Sequence, residues 1–128
     1  MTYYFSKTLS QPFETAIENV TDALKEKGFG VLTTIDVKDT LKKKIDVDFR
    51  PYMILGACNP QFAHQALQKE SHIGTMLPCN VIVQQNDDGT VEVSAVDPMA
   101  SMMSVENPEL AGIATEVHDL LKDVIASL

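Results

Sequence analysis

Pro51-Tyr-Met-Ile-Leu-Gly-Ala-Cys58-Asn-Pro60, then a short helical segment, then Leu77-Pro-Cys79-Asn-Val-Ile-Val83: this run holds both cysteines of the chain and decides how its sheet is built. Tyr52 to Ala57 is short and continuously apolar, as expected of a strand covered on both faces or central in its sheet. Gly56 within it permits close approach of another backbone or a ligand. Asn59 and Pro60 start a helix to about Lys69, as N-cap and first-turn residue, with Phe62, Ala63, Ala66 and Leu67 facing inward. The same pair recurs at Asn107-Pro108, so by itself it signals a helix start. Residues 71 to 79 form an irregular link into a strand from Asn80 to Gln85.

The relation between these two strands settles whether the cysteines can cooperate. As parallel neighbours, the end of one and the start of the other would lie roughly 20 Å apart, at about 3.3 Å per residue. An antiparallel pair, or a link that carries Cys79 back past Cys58, brings them together. The nine-residue link is longer than a tight crossover needs, and we expect proximity.

Upstream, residues 2 to 9 alternate as a half-buried strand with Tyr3, Phe5 and Leu9 on one face. Ser10 is expected to cap a helix with Pro12 in its first turn, an apolar stripe of Phe13, Ala16, Ile17, Val20, Ala23 and Leu24, and Gly28 as left-handed terminator. Phe29 to Ile35 alternates as a second strand. Asp36 then caps a short helix from Val37 to Lys44, where Asp39 pairs with Lys42 or Lys43.

Downstream, Asn86-Asp-Asp-Gly89 is a hairpin turn returning into a strand from Thr90 to Val96, which Asp97-Pro98 stops. Met99-Ala-Ser-Met102-Met103 reads as a methionine-rich loop. From Asn107 a long helix carries an unbroken stripe of Leu110, Ile113, Ala114, Val117, Leu121, Val124, Ile125 and Leu128. No repeat or linker interrupts the chain, so residues 1–128 read as a single domain.

Composition narrows the class. A chain of 128 residues with 45% hydrophobic and 22% charged content is globular, and its longest apolar run, Tyr52 to Cys58, is too short to span a bilayer. The first residues carry no secretory pattern, which points to the cytoplasm and to reduced thiols. Net charge is -8, and residues 71–128 hold nine acidic groups against Lys122 alone. With Arg50 as the only arginine, neither nucleic acid nor membrane is an expected partner.

No Cys-x-x-Cys, Gly-rich phosphate loop, His-Glu-x-x-His or Gly-x-Ser-x-Gly is present, and no cofactor is expected. Cys58 stands beside a helix N-terminus, where free amides and the helix dipole favour a thiolate. Against this, free cysteine is among the most buried residue types and readily ends a core strand. His64, less than two turns past Cys58, offers a Cys-His ligand pair. Met99, Met102 and Met103 with the thiols suit a soft ion such as Cu(I), or they fill an irregular core edge or an interface. His72 reads as an exposed loop residue and His118 as a flank of the last helix.

Gly28-Phe-Gly-Val31, Ile35-Asp36-Val37, Leu55-Gly-Ala-Cys58-Asn-Pro60, Leu77-Pro-Cys79-Asn-Val81 and Asp97-Pro98, in this order, resemble the family called domain of unknown function 302. That resemblance implies a two-layer α/β domain of the α+β type, with helices packed on one side of a mixed, mainly antiparallel sheet of about five strands, often as a homodimer. It implies no activity. Its recurrent residues fall here on Asp36, Cys58, Asn59, Pro60, Pro78, Cys79 and Asn80.

Two functional expectations follow. One is a shared thiol site at Cys58 and Cys79, supported by Asn59, Asn80, Asp36 and His64, for redox, sulfur or soft-metal binding. The other is a non-catalytic homodimeric binding or interaction module whose cysteines are merely packed, with the last helix or the methionine loop as interface. Whether a small molecule or a metal is the ligand stays open, as does whether the protein is an enzyme.

Overall fold

The strand ending in Cys58 and the strand beginning at Cys79 lie side by side and antiparallel, in the register Ala57↔Cys79 and Gly56↔Asn80. The computed structural model describes residues 2–128. Its elements follow the order β1 (Tyr4–Leu9), α1 (Phe13–Glu26), β2 (Gly30–Asp36), α2 (Val37–Ile45), β3 (Tyr52–Cys58), α3 (Pro60–Lys69), β4 (Cys79–Gln85), β5 (Val91–Val96), α4 (Pro98–Ser101) and α5 (Ala111–Ala126). Single 3-10 segments cover Ser71–Met76 and Pro108–Leu110.

The five strands form one open sheet in the order β1-β5-β4-β3-β2. All four pairings are antiparallel, so the expected mainly antiparallel sheet of about five strands is found, without a parallel pair. This is an α+β architecture. Alternation in the central strands sends Leu55, Ala57, Val81, Val83, Val93 and Ala95 to one face, where they are almost fully buried. The stripes of α1 (Ala16, Val20, Leu24) and α5 (Ile113, Val117, Leu121, Val124) complete that core. A helix presenting an apolar residue every third or fourth position can satisfy a sheet face of this kind by lying across it. The other face carries Asn80, Gln84, Glu92 and Ser94, which line a shallow depression with Tyr4 and Tyr52.

Local signals explain most boundaries. Asn59 Oδ1 accepts from Phe62 N at 3.4 Å and Pro60 follows as the first helical residue. Asp36 Oδ1 accepts from Asp39 N at 2.9 Å, and Lys43 pairs with Asp39 at 2.9 Å. Gly28 ends α1 at φ +85°, and a Cβ there would also meet Asn59 Nδ2 at 3.1 Å.

Four expectations are corrected. Helix α1 starts at Phe13 with Pro12 at its N-cap and no side-chain cap, so Ser10 plays no capping role. Strand β2 does not alternate as a half-buried strand: it is a sheet edge with a register shift between Val31 and Thr33, which leaves Leu32 67% and Ile35 48% exposed. The link before Cys79 is an ordered 3-10 turn that ends in a cis Leu77–Pro78 bond. Part of the methionine loop is helical, because Asp97 Oδ1 caps α4 by accepting from Met99 N at 3.0 Å.

Candidate functional site

At the sheet end where β3 stops and β4 starts, Cys58 and Cys79 line a single cavity of about 30 Å³. Helix α3 and the 3-10 turn carry the chain away from Cys58 and back, so the link does bring the second cysteine beside the first. The walls are otherwise mainly apolar, from Phe29, Phe62, Leu77, Ile113 and Val117, and include Asn59 and Met102. Both cysteines are free thiols. Cys79 is 9% exposed, and Cys58 is half-buried.

The electrostatics run opposite to the expectation for a thiolate at a helix N-terminus. Burial pushes the Cys58 thiol up from its ordinary value. Burial, and secondarily the charge that Cys58 can carry, push Cys79 up to about 11. Removing a thiolate from water into an apolar wall outweighs what the unpaired amides of α3 offer. The dependence of Cys79 on the charge of Cys58 also means that the two sulfurs feel each other's ionisation. At neutral pH both are neutral thiols.

The supporting residues divide. Asn59 lies at the cavity, but its Oδ1 is engaged by the α3 cap, accepting from Phe62 N. Asn80 follows Cys79 in the same strand, so it points to the opposite face of the sheet, is exposed, and lines the other depression instead of the cavity. Asp36 pairs with Met53 at the opposite end of the sheet, where it caps α2. His64 is exposed on α3 and does not line the cavity, so no Cys-His ligand pair forms. Pro78 instead has a packing role: with Thr33 it fills the space over Gly56, where a Cβ would stand 2.8 Å from Pro78 Cγ and closer still to Thr33 Oγ1.

One pair escapes sequence reading. Asp97 is buried at 7% exposure, and His118 Nδ1 donates to its Oδ1 at 2.7 Å. Phe5 meets the imidazole edge-on, with ring centroids 5.0 Å apart. The β4–β5 register, continued past Val81↔Ala95, sets Asp97 level with Cys79. Pro98 and Val117, the chain neighbours of Asp97 and His118, line the cavity. The pair therefore clamps β5, α4 and α5 together behind the cavity wall. Asp97-Pro98 was visible as a motif, but nothing periodic in the sequence connects Asp97 to a histidine twenty-one residues on.

Among the described residues, no group of three His, Cys, Asp or Glu side chains gathers in a way that could hold a metal ion, and no helix is long and apolar enough to cross a membrane.

Comparison with known proteins agrees with this architecture. The family model described as domain of unknown function DUF302 matches residues 5–128. A crystal structure of the uncharacterized conserved protein DUF302 from Bacillus stearothermophilus superposes with a TM-score of 0.91 at 30% sequence identity, over 98% of each chain. No curated protein matches.

Proposed function

The chain belongs to the DUF302 family, and from that premise we propose that Cys58 and Cys79 act as one two-thiol pocket that captures a thiophilic ligand of about one atom. The observation that carries this reading is that Cys58 and Cys79 line the same cavity, near enough that the charge Cys58 can carry raises the Cys79 thiol. Size limits the guest. Pockets for organic ligands run to roughly 300–1,000 Å³, whereas about 30 Å³ is the space of a water. A soft ion or a single sulfur atom fits; an organic substrate does not.

Protonation selects among thiol chemistries. Thiol–disulfide exchange needs a thiolate as nucleophile, and both thiols here are held above their ordinary range. A soft cation supplies its own driving force, because a coordinating thiol loses its proton outright. Capture therefore suits this pocket better than redox turnover. A reducing compartment such as the cytoplasm would keep both thiols available.

Arsenite tests the reading, since trivalent arsenic binds two thiols with release of water. Native mass spectrometry should find one arsenic per wild-type chain and none in Cys58→Ser or Cys79→Ser. Equal uptake by a single-cysteine variant, or none by the wild type, would overturn it.

A second reading, a homodimer without catalysis, has support in the surface of the methionine segment, where Met99 is 41% and Met103 71% exposed. The apolar stripe of α5 is already spent on the core, so the last helix is not the interface in this reading.

A further inference from the structure

We infer that the ligand of the two-thiol pocket is a soft monovalent metal ion, Cu(I) or its analogue Ag(I), with the Met102 thioether as third donor and the methionine groove beside it as the way in. This rests on the two-thiol reading above and adds a ligand class to it. Three sulfur-bearing residues, Cys58, Cys79 and Met102, line the one cavity. Met102 also lines a groove of about 520 Å³ between α4 and α5, together with Met99 and Met103. With Ala114 it is thus shared between the cavity of the two cysteines and the surface groove. Its position is fixed by backbone bonding: Met102 N donates to Pro98 O at 3.0 Å, and Asp97 caps the same short helix.

Donor chemistry chooses the ion. Thiolate and thioether sulfur select Cu(I), which accepts low coordination numbers in an apolar surround. Structural zinc takes four ligands from Cys, His or carboxylate, and among the described residues no third such side chain joins the two cysteines. Hard cations need oxygen ligands, and the cavity offers only the side chain of Asn59, already engaged in capping. Exposed Met99 and Met103 line the same groove as Met102, so thioethers offer an ion soft contacts on its way in, although the carboxylate of Glu106 lines that groove as well. On binding, each thiol that ligates as thiolate releases its proton to solvent. No electron moves, and copper stays Cu(I).

Anaerobic competition with bicinchoninate for Cu(I) tests this on the full chain. The wild type should bind one ion. Removing even an outer partner of a metal ligand commonly costs about 10- to 100-fold in affinity, so Met102→Leu, which nearly conserves volume, should weaken Cu(I) binding at least about tenfold. Arsenite uptake by Met102→Leu should stay at one per chain. If Met102→Leu binds Cu(I) like the wild type while arsenite is still captured, this inference falls and the two-thiol reading stands. If the wild type captures neither, both fall. Should Met102→Leu fail to fold, X-ray absorption on the Ag(I)-loaded wild type decides: three sulfur neighbours are expected, and two would overturn the role of Met102.

Discussion

Raising the pH from 8 to 11 should remove stability from the wild type that a Cys79→Ala variant keeps. Burial first, and the charge of Cys58 second, move the Cys79 thiol from 9.0 in the unfolded reference to about 11 in the fold. The side chain is 9% exposed, so solvent does little to screen that difference. Two pH units at 1.36 kcal/mol each correspond to about 3 kcal/mol. Below pH 9 the thiol is protonated in both states and the whole contribution is present. Between 9 and 11 the unfolded chain gives up the proton while the folded chain holds it, so stability falls by about one proton's worth per unit. Above 11 both states are ionised and the contribution is gone. For a domain whose total stability is roughly 5–15 kcal/mol, the loss is large. Urea midpoints at half-unit pH steps, for wild type and Cys79→Ala side by side, isolate it, because lysine and tyrosine titrations are common to both. The packing lost in the variant appears as a constant offset, and the thiol appears as a difference that shrinks between pH 9 and 11. A difference that stays flat across this range would refute the placement of Cys79 in a desolvated wall.

Four further outcomes are expected. Gly56→Ala forces a Cβ against Thr33 and Pro78 and should cost about 1–3 kcal/mol in urea denaturation; a neutral result would contradict the close packing over this glycine. Asn59→Ala removes the cap on Phe62 N and should cost about 1 kcal/mol while leaving arsenite capture intact, which separates a capping role from a ligating one. Asp97→Ala leaves His118 and Met99 N without their acceptor and should lower stability by about 1–3 kcal/mol, seen as a drop in Tm. Met103→Asp should convert a dimer to a monomer in light scattering if the methionine segment is the interface; an unchanged mass at dimer size would exclude that surface.

What the sequence revealed is what near neighbours decide. The stripe of α5, the caps at Asn59 and Asp36, the left-handed Gly28 and the hairpin at Gly89 follow from residues within a turn of one another. The meeting of Cys58 and Cys79 was expected from the length of the link, but no local signal fixes the strand direction on which it depends. That Asn80 would leave the site was implicit in its place next to Cys79, because successive residues in a strand face opposite ways. The departure of Asp36 to the far end of the sheet needed the β2–β3 register, and the exposure of β2 came from a register shift and an edge position that the Val31-Leu-Thr33 run does not announce. Asp97 with His118 is a long-range polar contact with no periodic trace. The thiolate expected at Cys58 yielded to desolvation, which depends on the walls brought by α3 and α5.

The account turns on Cys58 and Cys79 acting as one site, and the most direct measurement follows both at once. In protein labelled with carbon-13 at the cysteine Cβ, titration with arsenite should shift both resonances in step and saturate at one equivalent. Movement of one cysteine alone, or of neither before excess arsenite, would contradict a shared two-thiol pocket.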